Sequence, residues 1–341
     1  MPLLAWRFTQ GPAINSLPEE MAERLRAYRR ANLARNLWLR QTALRTIELL
    51  QAAGIAAIPL KGPLLAESLY GNPGLRQCHD VDILVRHADV PAARDTLMSA
   101  GYSSVSPLTA GQFRQLLRHN CEYQLRSSDG ALVELHWRLL PRYFSVDFPE
   151  PELWEHAGTG AGGTTSLSPL NLFLALLING GKERWARLIT ICDLAWTMRA
   201  NPELDWDMVR ERARRLGIER WVGMGLAIAE RLFGAQPPPS LAARDPVADH
   251  LADEYCRDLP AGATALSDDQ LHRFLLRVRE RRRHRVRYLL RLAVTVGPAE
   301  WEMVRLPDWL APAYYLIRVT RLGGNLLRAL APRRRSRIAA E

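Results

Sequence analysis

Lysine is almost missing from this chain. Of 46 basic residues in 341, only Lys61 and Lys182 are lysine and 44 are arginine. In so biased a composition arginine serves wherever a solvated positive charge suffices, so each surviving lysine marks a position that wants a compact ammonium. Long apolar runs are also absent: Leu170 to Ile178 and Trp309 to Ile317 are the longest candidates, and both fall short of the roughly 18 residues a membrane-spanning helix needs. Arg7 interrupts Met1 to Gln10 where a secretory signal would be continuously apolar. The four cysteines, Cys78, Cys121, Cys192 and Cys256, form no CxxC pair, which excludes a structural zinc site or a disulfide framework of the usual spacing. We therefore expect a soluble, cytoplasmic protein with reduced thiols and no transmembrane segment.

What is present is enough apolar sequence, 48% of residues, to bury a core of about two domains. The net charge of +10 is concentrated at the C-terminal end. From Leu271 onward 17 Arg face 5 acidic residues, a net of +12, which leaves −2 for the first 270 residues. Arg277, Arg279, Arg281, Arg282, Arg283, Arg285 and Arg287 are too dense for one helical face and read as a solvated helix. The alternative is a dock for an anionic partner such as nucleic acid, acidic lipid or an acidic peptide. Trp301, Trp309, Tyr314 and Tyr315 read as packing this tail onto the body, with a membrane-interface belt as the alternative.

Periodicity gives the organisation. Ser16-Leu17-Pro18-Glu19 has a capping-box pattern, and Met21, Leu25, Tyr28, Leu33 and Leu37 follow at helical spacing, so one or two helices fill residues 17 to 53. Ile55 to Leu60 and Val81 to Val85 read as strands, with a helix at Leu64 to Tyr70 between them. Cys121 to Leu125 and Ala131 to Trp137 form a hairpin around Asp129-Gly130. Gly158 to Thr165 is glycine-rich without the order of a phosphate loop and reads as a flexible linker. Beyond it the pattern is helical, interrupted at Pro237-Pro238-Pro239. The fold class is α+β: a mixed sheet with flanking helices, then an all-helical C-terminal domain. We expect N-terminal helices over 1–50, a catalytic domain over 51–157, a helical domain over 166–266 and a basic helical tail over 267–341.

Asp80-Val81-Asp82 places two carboxylates on one face of a strand while Val81 and Ile83 point into the core, a geometry for holding a divalent metal. Asp205-Trp206-Asp207 has the same spacing but precedes a helical run, where capping is the simpler reading. Upstream, Lys61-Gly62 ends a strand and opens a helix, so Gly62 can bring backbone N–H groups toward phosphate oxygens. Downstream, Glu134 and His136 alternate with apolar Val133, Leu135 and Trp137 and share a polar face. Asp80, Asp82 and Glu134 are thus expected in one cluster.

These residues resemble the nucleotidyltransferase superfamily with the DNA polymerase β-like fold, whose signature is a glycine turn after a first strand, Asp-x-Asp on the next and a third acid on a later strand. More narrowly, Leu60-Lys61-Gly62, Tyr70, Arg76, Asp80-Val81-Asp82-Ile83-Leu84-Val85 and Glu134-Leu135-His136-Trp137 resemble a bacterial family of uncharacterised nucleotidyltransferases. That resemblance continues through Gly181-Lys182-Glu183-Arg184-Trp185, Asp193 and Asp205-Trp206, and covers roughly residues 43 to 233. Two features depart from the superfamily pattern: Lys61-Gly62-Pro63 replaces the usual Gly-Ser, and seventeen residues separate Gly62 from Asp80.

The resemblance implies a Mg²⁺-dependent enzyme, with Mn²⁺ as a substitute, that moves a nucleoside monophosphate from an NTP such as ATP to an acceptor hydroxyl or phosphate and releases pyrophosphate. Asp80 and Asp82 would bridge two ions roughly 3.5–4 Å apart and Glu134 would complete the one that activates the acceptor. Lys61 either cradles the β and γ oxygens or pairs with a carboxylate. Gly62, Arg76 and Lys182 complete the nucleotide-binding set, a solvated loop being the other reading for Lys182. Asp193 orients Lys182 or Arg184, or caps, and His136 packs beside Trp137 or contacts substrate. Family members lie near genes for peptide and polysaccharide modification, so a peptide, saccharide or small-molecule acceptor is preferred to RNA. The alternatives are a catalytically silent module whose basic tail holds an acidic partner, and a toxin-like enzyme acting on RNA.

Overall fold

The computed structural model describes residues 2–9, 17–237, 241, 245–259, 267–304 and 306–330. Ser16 of the expected capping box, Pro238 and Pro239 of the proline break, and residues 331–341 of the basic tail lie outside them. After α1 (Pro2–Thr9), the N-terminal helical pattern forms one 34-residue helix, α2 (Glu19–Ala52), about 50 Å long. Its buried side differs from the one the apolar spacing suggests. Met21, Leu33 and Leu37 are exposed, whereas Asn32, Asn36, Leu39, Ala43, Ile47 and Leu50 are buried. The asparagines face inward because they have backbone acceptors there. Asn32 Nδ2 donates to the carbonyls of Gly74 at 2.8 Å and Arg76 at 3.2 Å, and Asn36 Nδ2 donates to Arg76 O at 2.6 Å.

The sheet contains β1 (Ala57–Pro59), β2 (Val81–Val85), β3 (Ser103–Ser104), β4 (Glu122–Arg126) and β5 (Leu132–His136) in the order β1-β2-β5-β4-β3. β2 and β5 run parallel at its centre and the remaining pairs are antiparallel, so the sheet is mixed. Its faces follow strand alternation. Val81, Ile83, Val85, Val133 and Leu135 meet α2, α4 (Val90–Ser99) and α5 (Ala110–His119) in one core. On the opposite face Ile58 and Leu84 pack with Leu167 and Ala175 of the following helical part. The helix between β1 and β2 is α3 (Gly62–Tyr70).

After the short helix α6 (Glu150–Trp154), the glycine-rich stretch is a two-stranded hairpin, β6 (Gly158–Thr159) with β7 (Thr165–Ser166), and not a flexible linker. Gly162 and Gly163 take the left-handed backbone that its turn requires. Then come α7 (Pro169–Lys182), α8 (Leu188–Ala200), α9 (Trp206–Leu216), α10 (Glu219–Phe233) and α11 (Pro246–Asp258). They share a core with Phe173, Trp185, Trp221, Met224, Ile228 and Leu251, whose full burial contributes roughly 1.5–3 kcal/mol per aliphatic side chain. Gly180 and Gly181 permit the closest approaches, since a Cβ on either would lie within 2.6 Å of the Trp185 or Trp221 ring.

The arginine-rich segment is integral to both cores. Phe274 and Leu275 of α12 (Asp268–Arg277) and Tyr288 of α13 (Arg282–Val294) join the helical core, while Val296, Trp301 and Tyr314 close over the sheet core against α5. Trp309 alone of the four tail aromatics is largely exposed, at 78%. Arg279, expected in solvent, is buried: it stacks 4.6 Å from the Tyr288 ring centroid and donates to Phe144 O. Among the described residues no helix is long and apolar enough to cross a membrane.

Candidate functional site

Three strand ends and one helix start assemble the site. Leu60 N donates to Asp82 O at 3.0 Å, which holds the end of β1 against β2 and brings the Lys61-Gly62 turn beside Asp80-Val81-Asp82. Gly62 has a positive φ of 80°, a backbone that glycine adopts without strain, and it lies against the strand, where a Cβ would be in ordinary contact, 3.5 Å from the Asp80 carbonyl. α3 begins here with no side-chain cap, and Pro63 in its first turn removes one N–H donor. The helix therefore presents uncapped positive dipole at the carboxylates.

On β2 and β5 the parallel register sets Asp82 opposite Glu134 and Leu84 opposite His136. Asp82, Glu134 and His136 each offer one ligand atom, all within 4.8 Å of one another. Asp80 precedes the first residue of β2 and shares the face of Asp82, though it is only half-buried. Asp82 is 2% exposed and has two cationic neighbours: Lys61 Nζ at 2.8 Å from Oδ1 and His136 Nε2 at 3.1 Å from the same atom. His136 Nε2 also lies 3.4 Å from Glu134 Oε2. The structure thus brings together Asp80, Asp82, Glu134, Lys61 and Gly62.

The electrostatics divide the carboxylates. Burial alone would raise Asp82, but Lys61 and His136 outweigh it and hold the carboxyl well below its usual range. Glu134 is lowered in the same way, against burial, by His136. Burial opposes charge on Lys61 and His136 as well, yet Asp82 keeps the ammonium protonated, and Asp82, Cys121 and Glu134 raise the imidazole well above its ordinary value. Asp80 behaves in the opposite sense: burial and repulsion from Asp82 and Glu134 push its carboxyl up, despite Lys61 and Arg76. Three acids thus share two close cations, and Asp80 is the one left short of positive charge.

Donor chemistry suits a hard divalent cation. Carboxylate oxygens at about 2.1 Å from one ion stand up to about 4.2 Å apart, so the Asp82 and Glu134 oxygens, within 4.8 Å of one another, need only a small closure, while the Asp80 carboxyl stands outside that group. The Lys61 ammonium, 2.8 Å from Asp82 Oδ1, would compete with an ion for that oxygen. A doubly protonated His136 has no lone pair to offer and acts as a counter-ion in this arrangement. Cys121 and Glu122 form a second group with His136, but burial raises the Cys121 thiol and keeps it protonated.

Lys182 lies across the cleft at the end of α7. With Lys61, His136 and Asn179 it lines a space of about 20 Å³ between α7 and the sheet, and its Nζ stands 3.8 Å from Glu183. The two lysines, 121 positions apart in sequence, therefore meet at one cleft. Arg184 and Trp185, which follow, both have positive φ near 50°, a left-handed backbone costing roughly 1–2 kcal/mol per residue. Arg76 is within electrostatic range of Asp80 and Lys61 but is bonded to another partner: it is buried, with Nε 3.0 Å from Asp193 Oδ2, and Tyr70 donates to Asp193 Oδ1 at 2.7 Å. Asp193 accordingly pairs with Arg76 and Tyr70 instead of orienting Lys182 or Arg184. Spacing gave no hint of this brace, because its partners come from opposite halves of the chain. The β4 side chains Glu122 and Gln124 were also missed, although a hairpin register fixed by Asp129-Gly130 already placed them on the Glu134 face.

No curated protein matches the chain. A family model described as uncharacterised nucleotidyltransferase matches residues 1–234, beginning upstream of the segment that carries the sequence resemblance and taking in α1 and α2. With 234 of 341 residues matched and a mixed sheet that carries the acids on one face, the chain belongs to the uncharacterised nucleotidyltransferase family.

Proposed function

We propose that the protein transfers a nucleoside monophosphate from an NTP to an acceptor oxygen with release of pyrophosphate. The observation that carries this reading is the charge imbalance at the sheet face: three carboxylates, two close cations and an uncapped helix start in one place. Asp80, Asp82 and Glu134 would hold Mg²⁺, the ion that hard oxygen ligands favour. Bound there, it would neutralise charge building on the reacting phosphate and lower the pKa of the acceptor hydroxyl. Lys61, released from Asp82, reaches the leaving phosphates, and Lys182 approaches them from α7. Glu134 accepts the acceptor's proton. Arg76 acts as a positioning residue through Asp193 and Tyr70, fixing α3 and α8 beside the cleft.

A catalytically silent module gains support from one fact, that Lys61 and His136 already neutralise Asp82. The two readings separate on Glu134→Gln. Pyrophosphate release from Mg·NTP, abolished in that variant and by EDTA, is expected for the enzyme. Mg·NTP binding unaffected by the substitution, with no release in either protein, would favour the silent module.

A further inference from the structure

The helix α13 has two working sides. Its inner side is spent on the body: Tyr288 joins the helical core, His284 is buried, and Arg287 and Arg291 lie 3.5 Å and 2.6 Å from Asp147 in the loop before α6. The outer side carries Val286, Leu289, Leu290 and Val294, which are 48–64% exposed. Apolar residues scattered singly over a surface need no explanation, but these are neighbours at i, i+3, i+4 and i+8. At about 100° per residue they form one stripe roughly 140° wide, on the side away from His284 and Tyr288. With the inner side pinned, the stripe is not a core face turned outward.

Arginines frame the stripe. By the same geometry Arg282 and Arg283 lie in line with it one turn before Val286, and Arg285 and Arg287 stand about 100° to either side of Val286. Arg281, Arg282 and Arg283 are exposed. Among the described residues no carboxylate pairs with Arg281, Arg282, Arg283 or Arg285, and α13 itself contains no acidic residue. The outer side therefore offers aliphatic surface and uncompensated guanidinium charge together. At 13 residues, about 20 Å, the helix is too short to cross a hydrocarbon layer of about 30 Å and long enough to lie along one.

We propose that α13 docks the protein on an anionic lipid surface. The helix lies in the interface plane, its aliphatic stripe among the upper acyl chains and its arginines at the headgroup phosphates, which their flexible stems let them reach. Other occupants match the surface less well. A second copy across a two-fold axis would set these arginines against one another, with no acid on α13 to meet them. A nucleic acid would pair with the arginines but find no ring to stack on, since Tyr288, the one aromatic of the helix, is buried. A protein groove gains most from aromatic anchors, which the convex stripe lacks. α13 lies beyond residue 234, outside the family match, so docking is a property of a part of the chain that the match does not cover.

The test follows co-sedimentation of the full chain with vesicles of phosphatidylcholine alone and of phosphatidylcholine mixed equally with phosphatidylglycerol. Binding should be at least about tenfold tighter to the mixed vesicles and should weaken as salt rises. Arg282→Gln with Arg283→Gln should weaken it about 25-fold at low salt, about fivefold for each arginine. Leu289→Gln with Leu290→Gln should weaken it at least about tenfold at unchanged charge, because two aliphatic side chains no longer leave water. All four positions are exposed and glutamine is a good helix former, so both variants should keep the wild-type melting temperature. Failure to bind the mixed vesicles overturns the proposal, whether the protein then pairs with itself in sedimentation velocity or holds single-stranded RNA instead. Equal binding to both vesicles removes the anionic surface. Binding unchanged by the leucine pair removes the stripe, since charge anywhere in the basic segment would then suffice. NTP turnover enters none of these readouts, so their outcome is independent of nucleotidyl transfer.

Discussion

The chain writes Asp-x-Asp twice, in two regions, with opposite results. Asp80-Val81-Asp82 runs into a buried central strand, where the period of two keeps both carboxylates on one face beside Lys61 and His136. Asp205-Trp206-Asp207 opens α9. There Asp205 accepts the N–H of Met208 at 2.9 Å as an N-cap, and Asp207, 73% exposed, lies 3.1 Å from Arg210 one turn on. One carboxylate is tied to a backbone N–H and the other to an arginine on the solvent side, so the pair is spent on capping and surface pairing. Identical letters acquire their chemistry from the element that carries them and from the cations its neighbours supply.

Substitutions sharpen the contrast. Asp82→Asn should have the largest effect, lowering turnover on the order of 10³-fold or more. Strand pattern alone would confine that loss to catalysis, but Asp82 is buried between Lys61 and His136. Leaving buried Lys61 without its carboxylate partner, and His136 with Glu134 and Glu122 alone, should also cost about 3–5 kcal/mol in urea unfolding. Asp80→Asn separates the two effects. Turnover should be lost comparably, yet the metal-free protein should be more stable than wild type. The folded-state pKa of Asp80 is raised, so its ionised form opposes folding at pH 7, and the opposition is absent once pH falls below the unfolded value. Thermal melts at pH 7 with and without Mg²⁺ check this: wild type should gain from the ion and the variant should not. Asp205→Ala should cost about 1 kcal/mol as a lost cap, with turnover unchanged. Asp207→Asn should stay within about 0.5 kcal/mol, as an exposed pair predicts. If the second motif proved as sensitive as the first, the strand argument would fail.

Local pattern made the α+β class and the Asp82–Glu134–His136 face legible, because strand alternation and the Asp129-Gly130 turn fix both faces and register. Asp205 as a cap was readable for the same reason. Long-range partners were not. The Tyr70–Asp193–Arg76 brace joins positions more than a hundred residues apart, and no local signal marks Asn32 and Asn36 as core residues, since their burial depends on backbone carbonyls of the loop over 73–76. Composition misled twice. Glycines at 158–163 suggested flexibility but supply the left-handed turn of a hairpin. The arginines at 277–287 suggested a solvated helix, although Arg279 is buried and the segment carries Phe274, Tyr288 and Trp301 into two cores.

The meeting of Lys61 and Lys182 at one cleft also makes the site chemically addressable. In most proteins an amine-directed acylating reagent decorates the whole surface, but here the two side-chain amines line the same space of about 20 Å³. Peptide mapping after brief acylation would report on that cleft and the chain's α-amine alone. Lys61, whose proton is held by Asp82, should react slowly. An ion that takes over Asp82 would loosen that hold, so metal-induced labelling at residue 61 would provide a footprint of occupancy independent of any catalysed reaction.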